Sequence, residues 1–283
     1  MNIAIDLGGT SVRVALVDGS KIVSLISEPC RADRPENEVL DHICSLIDRL
    51  FSAEVKAIGV GVPSVVDAEK GIVYDVVGIP SWKEVHLKEI LEEKYHVPAY
   101  INNDCNCFAL GVSTYGEARG YSSAVCVTLG TGVGSSLVVN GSIYNGHNTG
   151  AGEIGCIQYL DKDYEYYCSS RFFTGKGTTG KDAAEKALAN DSGAMSLWDE
   201  FGHNMGQLAM MIVYAYDPEI IVFGGSISTA WRLFEKSMRA ELGKCIYPKS
   251  IERLKICPAG RLEMNILGAS SLCDAPSFRL PRP

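Results

Sequence analysis

A chain of 283 residues with 46% hydrophobic and 21% charged residues has an ordinary globular composition, long enough for two domains that each bury a core. A net charge of −8 and the lack of any long Lys or Arg block disfavour a nucleic-acid partner. No apolar run is long enough to span a bilayer, and the N-terminus lacks a basic stretch followed by a cleavable apolar segment, so neither a membrane partner nor a secretory leader is expected.

Residues 2–7, 12–18 and 21–27 alternate or run apolar between Gly-rich breaks and read as three successive strands. Val39, Ile43, Leu46, Ile47 and Leu50 recur at helical spacing, which predicts a helix over 35–51 with Pro35 in its first turn. A strand over 55–61 stops at Pro63, and a helix over 85–95 precedes a short strand at 99–101. Asn103 and Asp104 open a helix that runs to about Tyr115. Strands at 122–129 and 134–139 follow, then helices near 181–189 and 195–216. Strand 219–223, helix 230–242, strand 253–257 and a helix near 263–273 complete the pattern, and the tail SFRLPRP reads as frayed. The ten cysteines are scattered, with no paired C-x-x-C; Cys44, Cys126 and Cys257 sit in apolar patterns. Reduced thiols in a cytoplasmic protein are expected.

One stretch occurs twice. IAIDLGGTSVRVALVDGS (3–20) aligns at constant offset with VCVTLGTGVGSSLVVNGS (125–142), so that Asp6 pairs with Thr128 and Gly8 with Gly130. Each copy is a strand, a glycine turn, a second strand and a DG or NG turn, which predicts two related domains. Glycine turns let backbone N–H groups converge on an anion, and Thr10 and Thr131 add hydroxyl donors. Two such turns form a candidate grip on a polyphosphate. A carboxylate beside phosphates is repulsive unless a cation intervenes, so Asp6 implies Mg²⁺ held through water. Taken singly, either motif is equally an ordinary hairpin turn.

A third glycine pair, Gly224-Gly225, ends an apolar strand and suits close approach of a base or ribose, or simply tight packing. GKGTTGKD (175–182) nearly matches a P-loop, but Asp182 stands where the Mg²⁺-binding hydroxyl belongs, and it reads as a loop entering a helix at 181. Asp104 is placed to accept a proton from a hydroxyl, and Asn103 to bond neighbouring hydroxyls; the same residues also suit a helix cap. Glu153 in TGAGEIG and Glu165 in YEYYCSSRF are candidate polyol-binding carboxylates, or surface acids.

Together these segments resemble the ROK family of bacterial sugar kinases in the hexokinase–actin superfamily. IDLGGTSVRVALVD is similar to the family's first phosphate motif, GVGVPSVVD (59–67) to its sugar-domain loop, and INNDCNCFALG to the segment with the catalytic base. VTLGTGVGSSLVVNGSIYNGHNTGAGEIG is similar to the second phosphate motif and sugar loop, and DPEIIVFGG to the adenosine strand. The resemblance implies an α/β chain of two actin/hexokinase-like (ribonuclease H-like) domains around a central cleft. Residues 1–116 would hold the sugar and base residues, and 117–283 the second phosphate and adenosine motifs, with the helix near 263–273 free to pack back on the first domain.

Carried across, Asp104 becomes the general base, while Asn103, Glu153, Glu165, Gly61 and Pro63 belong to the sugar site. Gly8, Gly9, Thr10, Thr131 and Gly132 become the phosphate clamp, Gly224 and Gly225 the adenine side, and Asp6 the residue that orders hydrated Mg²⁺. The implied reaction is transfer from MgATP to a hexose hydroxyl, O6 by default, in a homodimer. Two departures stand out. Cys156 replaces the family's usual histidine, and residues 157–164 replace its cysteine-rich segment, so no zinc is expected. The rival readings are a sugar-responsive repressor, disfavoured because Met1 abuts the first motif, and a sugar-binding protein without turnover.

Overall fold

The computed structural model describes residues 1–76, 78–147 and 149–274, so the tail read as frayed lies outside the described residues. The chain forms two compact units: Met1–Arg119 with Ser142–Ala151 and the segment from Glu263 onward, and Gly120–Gly141 with Gly152–Leu262.

The first unit contains β1 (Asn2–Leu7), β2 (Ser11–Asp18), β3 (Lys21–Pro29), α1 (Glu36–Asp48), β4 (Ile58–Val62), β5 (Val65–Asp67), β6 (Ile72–Tyr74), β7 (Glu84–Val85), α2 (Leu87–Tyr95), β8 (Ala99–Asn103) and α3 (Asp104–Tyr115). Its main sheet runs in the order β3-β2-β1-β4-β8. β1 is antiparallel to β2 and parallel to β4, which is parallel to β8. The second unit contributes β9 (Ser123–Leu129) and β10 (Val133–Val139) before the chain returns to the first with β11 (Ser142–Tyr144). The second unit resumes with β12 (Gln158–Tyr159), β13 (Lys162–Asp163), α4 (Tyr164–Tyr167), α5 (Ser170–Gly175), α6 (Gly180–Leu188), α7 (Ser192–Tyr216), β14 (Ile220–Gly224), α8 (Trp231–Leu242), α9 (Pro248–Arg253) and β15 (Lys255–Pro258). α10 (Met264–Ser271) belongs to the first unit.

β1 is buried almost throughout because both faces of its sheet are covered. Ile3, Ile5 and Leu7 pack in one cluster with Val39, Ile43 and Ile47 of α1. Across the sheet, Asn2 Nδ2 donates to the Ser270 carbonyl of α10 at 3.4 Å. Small residues set the α10 packing. A Cβ on Gly268 would lie 1.6 Å from the Cys107 carbonyl oxygen of α3, and one on Gly111 2.0 Å from that of Met264. The two helix backbones therefore touch where neither has a side chain.

The second unit repeats the plan. β9 and β10 are antiparallel, and β14 is parallel to both β9 and β15. The NG turn after β10 has φ of +52° at Asn140 and +73° at Gly141, the left-handed pair of a tight hairpin turn. Its core is aromatic: Phe173 and Trp198 have ring centroids 4.7 Å apart, and Phe201 and Phe234 meet edge to face at 5.3 Å. The near-P-loop is an ordinary helix entry, in which Thr179 Oγ1 caps α6 by accepting the Asp182 N–H at 3.0 Å.

Several boundaries differ from expectation. Helix 35–51 is shorter, Glu36–Asp48, with Pro35 as its cap, and the strand expected at 253–257 is Lys255–Pro258 because α9 occupies 248–253. The division expected at residue 116 falls after Arg119, and Ser142–Ala151 groups with the first unit.

Candidate active site

In the first unit the site begins with strand register. Asp6 lies beside Gly61, and Gly61 beside Asn102. β8 then ends at Asn103 and α3 begins at Asp104, so the acid of the first turn and the candidate base rise from the strands on either side of β4. Gly61 keeps this approach close: a Cβ there would lie 3.1 Å from Cys107 Sγ and 3.5 Å from Asp104 Cα. Pro63 follows β4 directly, and the next carbonyl, of Ser64, accepts from Asn103 Nδ2 at 3.2 Å.

Asn103 caps α3, its Oδ1 accepting the N–H groups of Cys105 at 2.8 Å and Asn106 at 3.3 Å. The cap reading of Asn103 is what these contacts show, and the residue directly precedes Asp104. Asp104 keeps a partial opening to solvent. Burial, and then the charge of Asp6, push its carboxyl up to about 6; the Cys105 N–H, 2.9 Å from its Oδ1, opposes the shift.

Asp6 has a side-chain partner that the sequence reading did not name. Arg13, its partner across the β1–β2 hairpin, donates from Nε to Asp6 Oδ2 at 2.9 Å and from Nη2 to the same oxygen. Sequence reasoning missed Arg13. The signal was available, since a turn centred on residues 8–10 makes 6 and 13 directly opposed neighbours on one face. Among the described residues, Asp6 Oδ1 accepts no hydrogen bond.

The first glycine turn, at residues 8–10, is held by its own chain. The Gly8 N–H donates to the Ser11 carbonyl at 2.8 Å, and Gly9 sits against Gly78, where a Cβ on either would come within 3 Å of the other's Cα. Among the described residues the N–H groups of Gly9 and Thr10 make no hydrogen bond, and Thr10 is exposed. This is the donor set a phosphate needs.

In the second unit the turn at 130–132 is likewise open: among the described residues the N–H groups of Thr131 and Gly132 make no hydrogen bond, and a Cβ on Gly130 would meet nothing within 4 Å. Glu165 leans on this turn. Its Oε2 accepts the Val133 N–H at 3.3 Å, its Oε1 pairs with Arg171 Nη2 at 2.9 Å, and a Cβ on Gly132 would lie 2.4 Å from Oε2. Glu165, expected at the sugar site, thus braces the glycine turn at 130–132 in this structure. Glu153 is exposed and precedes the short 3₁₀ turn Ile154–Cys156, in which Cys156 is exposed too. Gly224 ends β14, and Gly225, with φ of +84°, presses on the backbone of Leu129, where a Cβ would lie 2.3 Å from the carbonyl oxygen.

Two units that each carry an antiparallel hairpin beside parallel strands, with an open glycine turn at each hairpin, define an actin/hexokinase-like α/β protein. The chain belongs to the ROK family, whose model matches residues 2–275. It is similar to glucokinase of Thermotoga maritima, 26% identical over 304 residues, covering 95% of this chain and 96% of that one. It is also similar to the xylose repressor of Bacillus subtilis, 26% identical, covering 83% of this chain and 65% of that protein. Among solved structures, the ROK family glucokinase of Streptomyces griseus in complex with glucose and AMPPNP has the same fold, with a TM-score of 0.83, 23% identity and coverage of 96% of this chain and 98% of that one. Kinases and repressors therefore both stand among its relatives. No helix among the described residues is long and apolar enough to cross a membrane.

Proposed function

We propose that this chain is an ATP-dependent hexose kinase. The observation that supports the reading is the alignment of Asp6, Gly61 and Asn102 on three successive strands, with the half-buried Asp104 two residues after Asn102 and within reach of the Asp6 charge. The sugar hydroxyl oxygen attacks the γ-phosphorus, the bond to the ADP oxygen breaks, and the hydroxyl proton passes to Asp104. A carboxyl raised to about 6 is still mostly ionised at pH 7 and is a stronger base than an ordinary aspartate.

Gly9, Thr10, Thr131 and Gly132 supply N–H groups for the nucleotide's phosphates. Asp6, through Oδ1, would hold the water shell of Mg²⁺, which when bound neutralises phosphate charge. Glu153 and Asn103 contact the sugar, with Gly224 beside the adenine. Zinc is not expected, and ten free cysteines fit a reducing cytoplasm. O6 of glucose or a hexosamine is the proposed acceptor, in a homodimer that binds no nucleic acid; the kinase relative supports the phosphoryl transfer and the glucose complex the sugar class.

The second reading, a sugar-binding regulator without turnover, draws on the repressor relative and on Cys156. ATP consumption measured across a panel of hexoses decides between them. Sugar-dependent ADP release supports the kinase, and sugar binding without ADP release supports the regulator.

A further inference from the structure

Three asparagines form a chain at the start of α3. Asn106 Nδ2 donates to Asn102 Oδ1 at 2.9 Å and to Asn145 Oδ1 at 2.9 Å. Asn102 Oδ1 also accepts the Asn103 N–H at 2.8 Å. Asn102 and Asn106 are 5% and 7% exposed. A primary amide has two N–H bonds, and Asn106 commits both.

Buried amides destabilise a protein unless they are paired, and apolar residues fill most of this helix face. What the amides add is geometry, since each donor reaches one acceptor at one distance. The acceptors lie on different elements. Asn102 is on β8, one residue before the cap, and Asn145 follows β11 at the entry to a turn that the Ala151 N–H closes by donating to the Asn145 carbonyl at 3.2 Å. Gly146, next in the chain, holds φ of +76°. From Ala151 the chain continues to Glu153.

From these contacts we infer that Asn106 and Asn145 are positioning residues, which fix the turn leading to Glu153 against the first turn of the base helix through one amide hydrogen bond. This rests on the kinase reading for its substrate, and on the amide chain alone for its structure.

The test compares Asn145→Val, which removes the acceptor, with Asn145→Asp, which keeps an oxygen there for the Asn106 N–H. In the full chain, Asn145→Val raises the KM for the accepted hexose about tenfold and leaves the KM for ATP unchanged, while Asn145→Asp stays within about threefold of the parent. In parallel, amide exchange at Ala151, followed without any ligand, is faster in Asn145→Val and unchanged in Asn145→Asp. Equal hexose KM values in the parent and Asn145→Val, equal losses in both variants, or unaltered exchange at Ala151 each overturn the inference. If the parent neither binds nor phosphorylates any hexose, the kinase reading falls, and the exchange result alone decides whether the amide bond fixes the turn.

Discussion

Asp104 carries two opposed demands. In the proposed role of base it needs to be ionised, yet burial and Asp6 favour its protonated form. The sign of the effect on stability follows. The folded carboxyl titrates near 6 and the unfolded one near 3.8, so between these values the folded state binds more protons and stability falls as pH rises. Above about pH 6 the ionised group costs about 3 kcal/mol. Asp104→Asn is thus expected to melt higher than the parent at pH 7.5, the difference vanishing below about pH 4, while phosphoryl transfer drops at least 100-fold. Thermal melts over a pH series with single-turnover assays read both, and a variant retaining near-normal turnover would refute the base role. In the parent, kcat/KM is expected to fall tenfold per pH unit below about 6. Arg13→Ala leaves Asp6 without its guanidinium, so the uncompensated charge moves that acidic limb to higher pH, visible in a pH–rate profile. Arg13 escaped the sequence reading because a lone arginine in a strand reads as an exposed alternation position; only its register with Asp6 gives it meaning.

At the level of elements, the paired hairpins were legible because their glycine turns interrupt strongly apolar strands at matched positions. The base helix was legible from its cap, since Asn103 does what its residue type does best. The three-stranded sheet of β5, β6 and β7 was not, because strands of two or three residues are too short to show a period. Nor was the position of Glu165, which depends on α4 coming back to the β9–β10 turn, a contact 32 residues apart in sequence. The seam between α3 and α10 offers a clean test. Gly268→Ala forces a Cβ onto the Cys107 carbonyl and is expected to cost about 3 kcal/mol in urea unfolding. Gly193→Ala at the start of α7 has only the Asp191 carboxylate nearby, at 3.3 Å, and is expected to be neutral or slightly stabilising.

Across the whole molecule, composition and charge set the class of protein, and the path of the chain sets its cooperativity. The first unit draws on three separate segments, and its sheet is covered on one face by a helix that follows the entire second unit. A chain ended at Leu262 lacks α10 and bares Gly59, Gly111 and the Asn2 amide, so its first unit is expected to lose protection from proteolysis while the aromatic core of the second, with Trp198 and Phe201, stays resistant. Limited proteolysis with mass detection of the surviving fragment checks this. Saturating sugar is expected to raise the melting temperature of the full chain, as any ligand bound by the folded form alone does.

The late arrival of α10 orders events on the ribosome. Residues 1–119 leave the exit tunnel first, but the surface meant for α10 waits, uncovered, until about 150 more residues have been synthesised. The second unit, complete once Leu262 emerges, matures ahead of the first, and nascent chains stalled before α10 are natural clients for a chaperone that shields apolar strands.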